Sequence, residues 1–448
     1  MQETILVEEV KVMLEERKFS KLKKYLEDLN SADIPCLFEE LEDEQMVVVY
    51  RLLAKDVAAE AFVELDTDLQ EKLIGDLTDK ELKGVLDELF MDDTVDLIEE
   101  MPANVVKRLL KHINKEDRKI INELLKYPED SAGSLMTIEF VDLKENMLVE
   151  DALKEIKKDC INKETIYHCY VLSLTRKIVG VIDLKTILLA DPKDKIKDIM
   201  DENVIKINTM EDKEEVAKMF DKYDEFALPV VDNEDRLVGI ITVDDAIDVM
   251  QEEAEEDFEK MAAVTPSEDT YLKTGVFTHV KNRIIWLIVL MLSSIFTGMV
   301  LTSYEAAFAT LPLLVSFMPT IMGTGGNCGS QASTLVIRGM AVEEIKLKDW
   351  IKVIWKEIRV GILVGLALFV VNVIRIYIQY KDFMLCMVLG LALIGTVIIA
   401  KVIGAVLPML AKKIKQDPAI MAAPFISTIV DLCSMMLYFQ IATALMGL

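Results

Sequence analysis

The sequence predicts a multidomain chain: an all-α superhelical N-terminal domain, a duplicated α/β pair, an acidic connecting helix and an α-helical transmembrane domain of five spans. Three observations carry this. Charge is split along the 448 residues: 1–272 hold 69 acids and 35 bases, whereas 273–448 hold 8 acids and 15 bases. An acidic, water-soluble half therefore precedes an apolar, weakly basic half. Five long apolar stretches crowd that second half, more than a buried core explains. Two internal periods mark the first half, one of about 12 residues and one of about 60. The expected boundaries are 1–130, 131–196, 197–248, 249–275 and 276–448.

Composition excludes several classes. At 52% hydrophobic residues the chain is not disordered. The soluble half would repel nucleic-acid phosphates, so no nucleic-acid partner is expected. Residues 5–7 form no h-region, and no signal peptide is expected. The six cysteines show no CxxC spacing and read as reduced thiols of a cytosol-facing protein. His112, His168 and His279 lack partner spacing, and neither a P-loop nor a Ser/His/Asp set is present. An enzyme is not expected.

The short period runs through residues 36–126. Helix starts fall near Asp43, Asp56, Asp68, Asp79, Asp93, Asn104 and Glu116, each introduced by Leu, Met or Ile. Acids and Asn satisfy the free N–H groups of a first turn. One short helix per repeat, stacked into a superhelix, follows.

Residues 135–252 hold the duplication. Val179-Gly180-Val181-Ile182-Asp183 matches Val238-Gly239-Ile240-Ile241-Thr242. Each follows a β-branched or aromatic run, 168–174 or 226–231, and precedes a helical pattern. Upstream, 147–156 parallels 210–219, both helix-like. Each unit reads β-α-β-β-α. The pair resembles tandem cystathionine-β-synthase (CBS) domains, regulatory modules in which a G-h-h-T-x-x-D stretch can contact a nucleotide. Thr242 and Asp245 fit that stretch, which makes ATP a candidate ligand. The first copy has Asp183 and Thr186 instead.

Residues 246–264 read as a helix toward the membrane, with Ile247, Met250, Ala254, Phe258 and Met261 as an apolar stripe. Its other faces carry Glu252, Glu253, Glu255, Glu256, Asp257 and Glu259. Like charges at i,i+4 repel. Opposite another acidic surface, 221–225 or 92–100, the repulsion grows, and divalent cations between the surfaces would relieve it. That arrangement is a cation sensor.

The apolar stretches are 284–303, 306–337, 360–378, 383–400 and 418–448. Twelve Lys and Arg fall on the N-terminal side of the membrane and only Arg375 and Lys381 on the other, which places the soluble half in the cytoplasm and the C-terminus outside. Residues 342–356 read as an amphipathic helix on the inner surface. Asp431 is the one acid deep in a span, and a carboxylate there costs at least about 2.5–3.5 kcal/mol unless it meets water or a partner. Pro424, Ser427, Thr428 and Ser434 share its helical face. The run Gly323 to Gln331 would either free backbone carbonyls within the hydrocarbon, which then need water or an ion, or pack closely against a neighbouring helix through its small residues, and the number of glycines favours the first; Asn327 and Gln331 share a face. Carbonyls, amides and one carboxylate suit a hard cation rather than zinc or copper. Two chains on a twofold axis would set two Asp431 carboxylates opposite each other, enough for hydrated Mg²⁺.

Taken together, these segments resemble the bacterial MgtE magnesium channel/transporter family along nearly the whole chain. Tyr127-Pro128-Glu129-Asp130-Ser131-Ala132-Gly133 is similar to the family's junction between N domain and CBS pair. Pro319, Gly325, Gly326, Asn327, Gly329 and Gln331, with Asp417-Pro418, Pro424, Thr428 and Asp431, are similar to its pore segments. The resemblance implies a homodimer in the bacterial inner membrane, with a Mg²⁺-selective pore centred on Asp431 and lined by Pro319, Gly325, Gly326, Asn327, Gln331, Pro424, Ser427 and Thr428. It implies closure when cytosolic Mg²⁺ binds sensor acids: Glu214, Asp224, Asp245 and Asp248 in the second CBS unit, Glu253, Glu256 and Asp257 in the connecting helix, and Asp93 in the N domain, with Asp92 and Asp96 as rivals. The competing reading is a nucleotide-sensing membrane scaffold without transport.

Overall fold

The computed structural model describes residues 2–267, 271–272, 274–304, 312–421 and 423–446. Lys273, residues 306–311 of the second apolar stretch and residues 422, 447 and 448 of the fifth lie outside the described residues. The chain forms two compact units, Met1–Met250 and Gln251–Leu448.

The short-period repeat becomes a helical stack. Helices Asp43–Tyr50, Lys55–Val63, Thr67–Asp76, Asp79–Leu86, Met91–Glu100, Ala103–His112 and Lys115–Leu124 follow one another with turns of a few residues. Three of these starts are capped by side chains. Glu42 with Gln45, and Thr78 with Glu81, form reciprocal capping boxes, and the Asn114 side-chain amide oxygen accepts the Glu116 and Asp117 N–H groups. Each helix is too short to persist alone. What holds it is burial of one face: Leu73, Leu82, Leu109 and Ile121 are fully enclosed in one shared core.

The long-period repeat becomes two three-stranded sheets, ordered β1-β2-β3 and β4-β5-β6. Strands β1 (Val141–Lys144), β2 (His168–Leu172) and β3 (Ile178–Asp183) correspond to β4 (Ile207–Asn208), β5 (Ala227–Val231) and β6 (Leu237–Thr242). In each, the first pair is parallel and the second antiparallel. The matching glycines have a shared cause. A Cβ on Gly239 would lie 2.7 Å from the Met136 sulfur and the Thr137 carbonyl oxygen; one on Gly180 would lie 2.4 Å from the Met200 sulfur. The segment entering each unit thus crosses the last strand of the other, bridging Thr137 to Ile240 and Asp201 to Val181. Only glycine admits that approach. The junction motif closes the same way, with Gly133 seated beneath the Tyr127 ring.

The second unit contains the five expected long helices: Val276–Ser303, Met318–Ala341, Trp350–Tyr380, Phe383–Lys413 and Ala423–Met446. By length and composition, four stretches of helix suffice to cross a membrane. The exception is Met318–Ala341, whose glycines, amides and hydroxyls lower its hydropathy, although its 24 residues reach about 36 Å. Two expectations change. Residues 342–356 do not form a separate surface helix: Trp350 opens a helix of 31 residues that runs without a breaker to Tyr380. The glycine run does not unwind. It is regular helix, and its carbonyls stay in the helical ladder. Its glycines serve contact instead. A Cβ on Gly404 would sit 2.2 Å from the Gly329 carbonyl oxygen, so Met318–Ala341 and Phe383–Lys413 touch backbone to backbone. Where lipid removes the hydrophobic drive between helices, such close packing is what associates them.

Candidate ion-handling sites

Asp431 lies in the second turn after Pro424 on Ala423–Met446 and is half-buried. Among the described residues no ion pair or hydrogen bond engages its carboxylate. Lys401, the base deep enough to neutralise it, is 4% exposed and faces Glu357 at 3.9 Å instead. Ser427 and Thr428 donate their hydroxyls back to the Pro424 carbonyl, at 2.9 and 3.0 Å. That leaves their oxygens available as acceptors on the Asp431 face.

The Met318–Ala341 helix divides the remaining pore candidates. Gly325, Gly326, Cys328 and Gly329 are buried against neighbouring helices. A Cβ on Gly325 would meet Val430 at 2.9 Å and the Ser434 hydroxyl at 3.0 Å; one on Gly326 would meet Ser427 at 3.3 Å. These glycines bring the helix against the Asp431 helix rather than lining a lumen within one chain. Pro319, Gly323, Asn327 and Gln331, four residues apart, form the open side. Two carboxamides facing hydrocarbon would be costly, so that stripe needs water or a second protein surface.

The acids of the first unit gather at a junction. Helix Met91–Glu100 presents Asp92, Asp93 and Asp96 toward Asp244 and Asp245 at the start of Val243–Met261, with Glu139 and Glu164 from the first CBS unit beside them. Thr242 donates its N–H (3.0 Å) and hydroxyl (2.7 Å) to the Asp245 carboxylate. Burial first, and neighbouring carboxylates second, push this group upward: Asp93 to about 6, Asp96 to about 7, Glu164 to about 8, and Asp92 well above its usual range. Burial also lifts Asp245 to about 6 against the pull of Thr242. Asp96 is exposed, so water screens its share most. Among the described residues no three acidic, His or Cys side chains converge closely enough to cage a bare ion. The donor set is all oxygen and strongly anionic, which fits a divalent ion that keeps water between itself and the carboxylates.

The sequence placed Asp93 and Asp245 here; Asp248 stands one turn along and adds to the repulsion on Asp245. It missed Glu139 and Glu164, which come from loops with no local signature and join only through the tertiary fold. Glu214 and Asp224 are not part of this cluster. Glu214 pairs with Lys218 at 2.7 Å, and Asp224 caps the end of Lys213–Tyr223 in a left-handed conformation. In the second unit, Glu253, Glu256 and Asp257 are half-buried. Glu256 is already matched: Lys260 pairs with it and with Asp417 at 2.8 Å.

Comparison with known proteins gives consistent matches. Residues 318–441 match a divalent cation transporter family, 29–130 the MgtE intracellular N domain, and 196–252 a CBS domain. The chain is 35% identical over 437 residues to the magnesium transporter MgtE of Thermus thermophilus, covering 97% of each. It is 31% identical to the Bacillus subtilis MgtE, covering 98% of this chain and 97% of that one. Among solved structures, the cytosolic domain of the Mg²⁺ channel MgtE in complex with ATP superposes with a TM-score of 0.52 at 36% identity, over 54% of this chain and 99% of that one. The soluble part of a magnesium transporter gives the same TM-score at 29% identity.

Proposed function

This chain belongs to the MgtE family of magnesium transporters, and we propose that it is a homodimeric Mg²⁺ channel closed by Mg²⁺ on its cytosolic acids. The observation that carries the pore is the uncompensated Asp431 beside the helix that presents Asn327 and Gln331. In a single chain the amide stripe is open, and none of Val276–Ser303 is buried. A second copy related by a twofold axis would cover such surfaces and bring two Asp431 carboxylates to one axis. Mg²⁺ needs only one or two carboxylates when it keeps its waters. An inside-negative potential then favours entry by about 2.3 kcal/mol per charge per 100 mV.

The gate is proposed at the junction acids. Without a cation, Asp92, Asp93, Asp245 and Glu164 repel; hydrated Mg²⁺ between them would draw the N domain and CBS pair together and bias the connecting helix toward the closed state. We place the soluble half in the cytoplasm, the C-terminus outside and the chain in the bacterial inner membrane, on the Lys/Arg distribution. ATP is proposed as a modulator at Thr242 and Asp245, on the strength of the ATP-bound relative; since Asp245 also belongs to the acidic junction, nucleotide and Mg²⁺ would act on one residue.

The test is potential-driven Mg²⁺ uptake into proteoliposomes, wild type against Asp431→Asn, with the cytosolic face held at low Mg²⁺. Uptake lost in a variant that still elutes as the wild-type oligomer supports the pore. Undiminished uptake in that variant would remove Asp431 from it.

A further inference from the structure

The amphipathic stretch 342–356 has no part in conduction or gating as proposed above, yet its side chains are placed with order. It opens the helix Trp350–Tyr380, whose 31 residues reach about 46 Å, well beyond a hydrocarbon thickness of about 30 Å. One exposed stripe at helical spacing runs the length of this helix. It carries Lys352, Trp355 and Arg359 near the start, continues as Leu363, Leu366 and Val370, and ends at Tyr377. Trp355 and Tyr377 are 22 residues apart, about 33 Å along the axis, so the two rings fit the two interfaces of one bilayer. The surplus length therefore falls at the N-terminal end, where residues 350–359 stand in the headgroup layer.

That end is basic, and its charge is only partly matched by the protein. Asp349 holds Lys352 at 2.7 Å, and Glu343 lies 3.6 Å from Lys346. Glu357 turns the other way, to the buried Lys401. Among the described residues no acid engages Lys356 or Arg359, which are exposed and three positions apart. Arg359 folds back along the helix: its Nε donates to the Trp355 carbonyl at 3.4 Å, and its guanidinium lies 5.9 Å from the Trp355 ring centroid. Long cations near the end of a span reach toward the interface in this way.

We propose that Lys356, Arg359 and the Trp355 ring form a headgroup site for an anionic phospholipid of the cytoplasmic leaflet. A guanidinium and an ammonium one turn apart suit a phosphate diester. The indole suits the glycerol region, and the apolar stripe beyond Arg359 suits the acyl chains. The inference rests on the cytoplasmic placement of the soluble half proposed above, which sets the start of this third span on the inner side. Occupancy would hold Trp350–Tyr380 at a fixed depth, and with it the Glu357–Lys401 contact.

Trp355 is its own reporter once Trp286 and Trp350, the other two tryptophans, are replaced by Phe. The full-length protein so altered is reconstituted into phosphatidylcholine vesicles with increasing fractions of brominated phosphatidylglycerol or brominated phosphatidylcholine, and quenching is followed. Phosphatidylglycerol is expected to reach half-maximal quenching at a mole fraction at least about fivefold lower, the gain from one base at an anionic surface. Lys356→Gln with Arg359→Gln is expected to bring that ratio to one. Lys356→Arg with Arg359→Lys keeps the charge and is expected to retain most of it. The ratio compares two lipids on the same protein, so a loss of stability alone does not move it. Where the neutral variant fails to reconstitute, about 0.5 M NaCl on the parent takes its place, and screening is expected to shrink the ratio toward one. Equal quenching by the two lipids in the parent, or a preference that survives the neutral variant or the salt, would overturn the site. Quenching by neither lipid would show the stripe covered by a second copy, and overturn it as well. None of these readouts requires Mg²⁺ flux or a given direction of insertion, so the site fails separately from the channel reading.

Discussion

The membrane half and the cytosolic half both use carboxylates, in opposite economies. Asp431 is one acid among apolar turns, with the deep lysine committed to Glu357. The junction crowds Asp92, Asp93, Asp96, Asp244, Asp245, Glu139 and Glu164 into one region, with no three placed to cage an ion. A lone carboxylate in hydrocarbon surroundings calls for water, a protein partner or a passing cation to stabilise its charge. A crowd of partly buried carboxylates has value as a spring: its repulsion is relieved by any cation that enters, and the relief is felt as a change in packing. On the proposed reading, conduction and sensing would be separated by how many acids share a site rather than by which residue type is used.

The comparison breaks most sharply at Asp431. Asp431→Asn keeps shape and removes charge, so Mg²⁺ uptake is expected to fall by more than about 100-fold with oligomer and thermal unfolding unchanged, as removal of charge at a selectivity point predicts. The next largest effect belongs to the junction. Asp93→Asn, Glu164→Gln and Asp245→Asn together remove the repulsion and its cation dependence at once. Protease protection of residues 1–250 is expected to be high without Mg²⁺ and to change little on titration. If the triple variant responds to Mg²⁺ like the wild type, the spring lies elsewhere.

A milder form of the same test uses protons. The junction acids bind protons more readily folded than unfolded: Asp93 and Asp245 rise from 3.8 to about 6, and Glu164 from 4.5 to about 8. For acids whose folded value is raised, the folded state holds more protons, so stability grows as pH falls and is lost as pH rises through the folded values. In EDTA, the cytosolic unfolding transition is expected to move to higher temperature between pH 8 and pH 6. Saturating Mg²⁺ should reduce that movement, since the ion already screens the charge. An opposite slope would mean that the acids are salt-bridged rather than crowded.

Much of this was legible in the chain. Helix starts, glycine positions and the duplication are local signals, and local signals survive into the fold: helices begin at or within two residues of Asp43, Asp56, Asp68, Asp79, Asp93, Asn104 and Glu116, and Gly180 and Gly239 hold matching places in the two sheets. Asp431 was legible because burial of a charge in a span is itself the anomaly. The glycine run left two readings open, because glycine permits both an unwound backbone and a close helix contact, and the less favoured one holds. Only the neighbours, Thr396, Ser427 and Val430, decide between them, and those lie about 70 to 105 positions away in sequence. Glu164 and Lys260 were invisible for a related reason: an acid among 77 acids and a lysine on a surface pattern carry no mark until the fold supplies a partner.

The smallest expected effect is the most discriminating. Lys260 is the built-in cation of the second unit. Burial draws its ammonium down, yet Asp417 and Glu256 outweigh that and hold it above the ordinary lysine range. Asp417 also accepts the Ala419 N–H at 2.8 Å, so it fixes the short turn ahead of the Asp431 helix while holding Lys260. The end of the connecting helix is thereby tied to the turn ahead of the Asp431 helix by a covalently held ammonium rather than a bound ion. Glu256, assigned by resemblance to the Mg²⁺ sensor, spends its charge on that latch. Lys260→Met is expected to cost no more than about 3 kcal/mol in unfolding, the upper end for a hydrogen bond to a charged group, and to loosen closure at saturating Mg²⁺ without moving its midpoint. Asp257→Asn is expected to do the reverse, moving the midpoint with closure complete. Should Lys260→Met instead shift the midpoint and Glu256→Gln shift it equally, Glu256 binds Mg²⁺ after all and the ammonium is only its placeholder.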